Sequence, residues 1–180
     1  MGTLAALALY IYKTRLQKSH YALLYAPLII PDVLMGISLL VFFVSFHVSL
    51  GFVTVCIAHT TFCMSYVAML IRTRMQHFDY ALVEAAYDLG ANTWTVFRKV
   101  IIPFLMPAIT AGALLAFTLS LDDFVITFFV VGPGFTTLPI YVYSMIKFGS
   151  PSLINALSTI LLACTFIIIA ISYSLSEEDT

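Results

Sequence analysis

The sequence predicts an all-α integral membrane protein, and three observations carry that prediction. Of its 180 residues, 62% are hydrophobic and only 9% are charged, where a soluble domain carries about 25% charged residues. Long apolar runs recur along the chain, each of about the 20 residues that a membrane-crossing helix needs. The basic residues cluster in the segments between those runs, mostly on one side. So apolar a chain has too little polar surface to cover a globule in water. The net charge is −1 and no basic stripe is present, which sets nucleic-acid binding aside. Cys56, Cys63 and Cys164 all lie in apolar runs. Three scattered cysteines do not read as a disulfide framework; they read as small hydrophobes.

The first element, Gly2 to Tyr12, is apolar but half the length of a span. Its positive charges, Lys13, Arg15 and Lys18, follow the apolar stretch, whereas a signal peptide places them before it. It is expected to be the last half of a span that begins upstream. Four complete spans are expected next, at about 21–43, 52–71, 107–131 and 151–173, helical because lipid offers no partner to backbone groups. All belong to a single domain over 1–180. Lys13, Arg15, Lys18, Arg72, Arg74, Arg98 and Lys99 fall on one side of the membrane and Lys147 on the other. That bias places the loop 72–103 in the cytoplasm. The acidic tail, Glu177 to Asp179, falls on the same side and does not conflict, because acidic residues weigh little in this rule. On the other side, 44–51 is a short loop, and 132–150 carries Gly132, Pro133, Gly134 and Pro139, which read as turns.

Three carboxylates, Asp32, Asp122 and Asp123, fall within spans, and no Lys or Arg does. Each costs roughly 2.5–3.5 kcal/mol to place at mid-membrane. Without basic partners from this chain they need water, a partner subunit or a cationic substrate. Asp32 is expected near the midplane and Asp122 nearer the outer face. Adjacent helical residues point about 100° apart, so Asp122 and Asp123 cannot both face one pathway. One is expected to face it and the other to cap a bend or bond a neighbouring helix. The plainer alternative is that the pair only satisfies backbone groups at a helix break.

Other residues have structural readings. Cys56, His59 and Cys63 share one helical face, but a lone histidine bonded to a neighbouring helix is commoner than a metal triad, and no metal is expected. Thr60, Thr61, Ser65 and Tyr66 make that span polar, either along a pathway or as helix–helix contacts. Ala108, Gly112 and Ala116 form a close-packing seam. Trp94 suits either a membrane interface or a protein contact.

The long loop reads as two short helices around a turn. Tyr80 to Leu89 favours helix, Gly90 sits where a C-terminal cap belongs, and Asn92 is a plausible N-cap for a second helix to about Ile102. Pattern alone leaves two readings open: a knob on which another protein docks, or a hairpin lying on the bilayer.

Glu84-Ala85-Ala86, then Gly90, then Val100-Ile101-Ile102-Pro103 resemble the EAA loop of ABC-type importer permeases, with Val100 and Ile102 as conservative departures. Pro31-Asp32 with Gly36 to Leu40, Phe117 to Asp123, Gly132-Pro133, Leu138-Pro139 and Asn155 to Leu157 are similar to the spermidine/putrescine (PotC-type) branch. The resemblance implies a MetI-like helical bundle, here N-terminally truncated, with about four and a half of the family's six spans. It implies a multi-pass inner-membrane permease for polyamines, with Glu84, Ala85, Ala86, Gly90 and Pro103 in the loop that docks on an ATPase subunit. The implied partners are that ATPase, a second permease and an external polyamine-binding protein. No Gly-x-x-x-x-Gly-Lys-Ser/Thr phosphate cradle occurs in the chain, so ATP hydrolysis is expected in a partner chain and no cofactor here. Two other readings stand beside it: a stand-alone proton-coupled transporter using Asp32, Asp122 and Asp123, and a membrane scaffold without transport.

Overall fold

The computed structural model describes residues 1–12, 15–149, 154–163 and 165–166. Lys13, Cys164, the tail 177–179 and much of the expected span 151–173 lie outside the described residues. Among those described, every regular element is a helix. The chain divides into two compact units, residues 1–135 and 136–180.

The first unit is organised on α4, Phe52–Met75. It contains no Gly or Pro, so nothing interrupts its backbone ladder. At about 1.5 Å per residue it is long enough to cross a membrane. Gly51 and Thr54 close its N-terminus: the Gly51 amide donates to the Thr54 hydroxyl oxygen at 2.9 Å. Against α4 pack α1 (Gly2–Ile11) and the long helix that follows the loop. That helix runs without a break from Thr93 to Asp122 and comprises α6 (Thr93–Val96), a wide π turn over 97–101, and α7 (Ile102–Asp122). The small-residue seam faces α4, and a Cβ on Gly112 would lie 3.3 Å from Val67. Half of α4's apolar window is buried within the chain, against 17% for the helix ending in α7. Most of α7 is therefore left for lipid or another subunit.

Two expected spans are broken. The stretch 21–43 is α2 (Gln17–Tyr25), a short 3₁₀ turn and α3 (Asp32–Ser45), and the two halves meet at 108°. Pro27 and Pro31 explain the bend. Each lacks the amide proton that would continue the helical ladder, and Pro31 also disfavours the helical region for Ile30 before it; Ala26, before Pro27, stays helical. The stretch 107–131 already belongs to a helix at its start. It then stops at Asp122, and after an extended Asp123 it resumes as α8, Val125–Val130. Gly36 lets α8 lie close on α3, since a Cβ there would come within 2.6 Å of the Phe129 ring.

In the second unit, α9 covers Leu138–Phe148 and α10 covers Ile154–Ala163. Pro139, expected in a turn, stands in the first turn of α9, where its missing amide costs nothing.

Candidate functional site

Both helix breaks lead to one place. Asp32 opens α3 just after the bend, Asp122 closes α7, and Asp123 sits in the α7–α8 break. All three line a single cavity of 260 Å³ with Phe62 and Tyr66 from the middle of α4 and Phe124 from the second break. Among the described residues no Lys or Arg lines it. The cavity is thus a concave patch of carboxylates and aromatic faces, and both attract cations. Helix breaks at membrane depth are tolerated where they line a cavity, and transporters use them as binding sites.

The adjacent acids have different surroundings. Asp123 Oδ1 accepts from the Ile126 amide at 3.3 Å. Its Oδ2 accepts from the Thr127 amide at 2.8 Å and the Thr127 hydroxyl at 2.6 Å. Asp123 therefore caps α8, supplying acceptors to amides that have no intrahelical partner. The Thr127 hydroxyl has given away its proton, so His59 Nε2, 2.7 Å from it, is the donor of that pair. In the neutral ring Nδ1 is then bare and accepts from the Ser120 hydroxyl at 2.7 Å. His59 Nε2 also lies 3.4 Å from Asp123 Oδ2. This chain of polar groups joins α4, α7 and α8 in the interior, with Thr127 fully buried.

Asp32 and Asp122 are exposed to the cavity side of the molecule. Among the described residues neither has a hydrogen-bond or ion-pair partner in the protein. Asp32 also stands in the first turn of α3, where a negative charge meets the positive end of the helix dipole. The geometry therefore separates two carboxylates open to a ligand from one engaged in holding the break.

The residues weighed as a metal triad do other work. His59 has both nitrogens engaged, the Cys63 thiol reaches the Ala116 carbonyl at 3.5 Å, and Cys56 is exposed. Tyr66, read from the sequence as facing either a pathway or a helix contact, lines the cavity; Phe62 and Phe124 as cavity walls, and Ser120 and Thr127 as His59's partners, were not found from the sequence. The four-residue step from Asp123 to Thr127, one helical turn, was the one available signal for the cap.

The loop is a separate candidate site. Its first arm is α5, Ala81–Asp88, carrying Glu84, Ala85 and Ala86. Gly90 turns the chain with φ +80°, a conformation that glycine takes without steric cost. Asn92 caps the second arm, its Oδ1 accepting from the Thr95 amide at 2.8 Å. Leu89 is 89% exposed, and Leu82, Tyr87 and Trp94 are exposed as well. The second arm passes through the π turn and Pro103 into α7. Pro103 lacks the amide that would bond the Lys99 carbonyl, which accounts for the widened turn just before it. Arg74 ties the base of the loop, with its Nε–H donating to the Phe104 carbonyl at 3.2 Å and its guanidinium 4.3 Å from the Phe104 ring centroid.

Comparison with known proteins gives a consistent result. The profile of the family described as "Binding-protein-dependent transport system inner membrane component" matches residues 1–176. The chain is 41% identical over 180 residues to the spermidine/putrescine transport system permease protein PotC of Escherichia coli K12, covering all of this chain and 68% of that protein. The Haemophilus influenzae protein of the same name is 38% identical over 179 residues, covering 99% of this chain and 70% of its own length. The putrescine transport system permease protein PotI of E. coli K12 is 44% identical over 175 residues, covering 93% and 62%.

Proposed function

The chain belongs to the family of binding-protein-dependent transport system inner membrane components and is a permease subunit of a polyamine importer; we propose that its substrate passes the cavity lined by Asp32, Asp122 and Asp123, with Asp32 and Asp122 making the contacts. The single observation that carries this reading is the convergence of three carboxylates, from two helix breaks, on a cavity with no basic residue among those described. A polyamine is a flexible chain of ammonium groups. Each ammonium needs an acceptor or an aromatic face when it leaves water. Phe62, Tyr66 and Phe124 would supply faces, Asp32 and Asp122 would supply charge, and Asp123 would keep the second break in shape.

The same reading gives the loop its task. Glu84, Ala85, Ala86, Gly90 and Pro103 form the surface on which a partner ATPase docks in the cytoplasm, and the exposed Leu89 and Trp94 would be covered there. A second permease subunit and an external binding protein complete the importer in the inner membrane. The helix from Thr93 to Asp122 is one continuous rod of 30 residues, about 45 Å long. One end belongs to the docking loop and the other carries Asp122. Closure of the ATPase pair would move the near end, and the rod would deliver that movement to the cavity. The chain's own part is mechanical.

The test is uptake of labelled spermidine and putrescine by the assembled importer in proteoliposomes, with ATP supplied on the loop side. Asp32→Asn and Asp122→Asn should each depress uptake by at least about tenfold, the equivalent of about 1.4 kcal/mol, without loss of the ATPase subunit. Normal uptake by both variants would remove the cavity from the pathway. Uptake driven by a proton gradient without ATP would replace the importer reading with a proton-coupled transporter.

A further inference from the structure

We propose a second binding site, for a phosphate-bearing anion, where α1, α2 and α4 end together, and we assign it to the head group of an anionic phospholipid. A cavity of 510 Å³ there is lined by Tyr10, Gln17, Lys18, Tyr21, Arg72, Gln76 and Tyr80. Among the described residues, two cations and no carboxylate face it. The Arg72 guanidinium lies 4.4 Å from the centroid of the Tyr21 ring and 5.8 Å from that of Tyr25. Aromatic faces hold it in place of an acid, which leaves the N–H edge of the guanidinium for another acceptor. Among the described residues neither Arg72 nor Lys18 has an ion-pair partner.

The walls are fixed rather than loose. Gln17 Nε2 donates to the Leu9 carbonyl at 2.9 Å and the Tyr21 hydroxyl to the same oxygen at 3.1 Å. The Tyr10 hydroxyl donates to the Met75 carbonyl at 3.0 Å. The dipole of α4 accounts for cations in its last turn, but not for the second cation that α2 brings to the same cavity.

Position and a neighbouring slot favour a lipid over a soluble phosphate. Arg72 and Gln76 stand at the end of α4, past most of its apolar length, where head groups lie. Basic pockets between helices at that level bind anionic head groups. A second cavity of 380 Å³ shares Arg72 and Gln76 and adds Leu28, Met69 and Tyr25. The Tyr25 hydroxyl is buried and has no hydrogen-bond partner among the described residues. An amphiphile fits this pair of cavities, with its phosphate on Lys18 and Arg72 and the start of its chains against Leu28 and Met69. The inference rests on the reading that α4 crosses the bilayer.

The test uses the assembled importer in detergent. Retained lipid is measured by native mass spectrometry during titration with phosphatidylglycerol, with phosphatidylcholine, and with phosphatidylglycerol plus inorganic phosphate. Wild type should retain phosphatidylglycerol in preference. Lys18→Gln should weaken that preference about fivefold, and Lys18→Gln with Arg72→Gln roughly thirtyfold. The exposed Lys18→Gln variant keeps the test decisive if the double variant assembles poorly. Equal retention of the two lipids by wild type, or an unchanged preference in Lys18→Gln, overturns the proposal. Competition by millimolar inorganic phosphate reassigns the site to a soluble anion. Loss of the ATPase subunit with lipid preference intact reassigns it to a protein contact. If neither lipid is retained and the complex needs no detergent, it is the membrane-crossing reading of α4 that fails.

Discussion

Replacing Asp123 and Asp122 one at a time by alanine should give opposite results in two assays. Asp123→Ala removes the acceptor for the Ile126 and Thr127 amides and the partner of the Thr127 hydroxyl. Loss of a capping side chain costs about 1 kcal/mol. The interhelical contact with His59 adds about 0.6 kcal/mol, with an upper value near 1.7. The sum is about 2 kcal/mol. For a chain of 180 residues, where each kcal/mol moves the midpoint by about 2–4 °C, that predicts a melting temperature lower by about 4–8 °C. Among the described residues, Asp122→Ala removes no protein hydrogen bond. It should leave the melting temperature unchanged or raise it, because a carboxylate in a span is costly to hold there. Uptake should collapse in Asp122→Ala. The assay is thermal melting of the assembled importer in detergent, with uptake measured on the same preparations. Equal melting shifts for the two variants would refute the division between a positioning acid and a ligand-facing acid. So would normal uptake in Asp122→Ala.

Three further outcomes follow from local geometry. Gly90→Val places a β-branched residue at φ +80°, a strain of about 1–3 kcal/mol, while its Cβ would meet nothing; ATPase pull-down should weaken while membrane insertion stays normal. Asn92→Ala removes the cap on the Thr95 amide, worth about 1 kcal/mol, and hydrogen exchange at that amide should accelerate about fivefold. Gly36→Val drives a side chain into the Phe129 ring and toward the Ile126 backbone, an overpacking cost of about 1–3 kcal/mol that thermal melting should register; an unchanged melting point would mean that α3 and α8 are not held together as described.

The loop was legible in the sequence because its signals are local. Gly90 turns the chain and Asn92 caps the second arm through contacts within three residues, and such contacts are written in neighbouring letters. The cavity was only half legible. Its acids stood out because charge is rare in an apolar run. Its aromatic walls stood out less: Tyr66 was legible only as a polar residue for a pathway or a helix contact, and Phe62 looks like any lipid-facing residue of a span until α7 and α8 are placed beside it. Pro27 and Pro31, four apart, carry the bend, but 21–43 reads as one span by hydropathy, which measures transfer to lipid and is blind to direction. The separation of Asp122 from Asp123 shows the limit most clearly. Helical periodicity requires that they diverge, but which one caps the break depends on whether the helix stops before or after residue 123. That is decided by His59, 64 positions away in sequence, and by Thr127 one turn ahead. Both places where the backbone departs from a straight span thus meet at the carboxylates, so the departures from hydropathy, rather than hydropathy itself, locate the site.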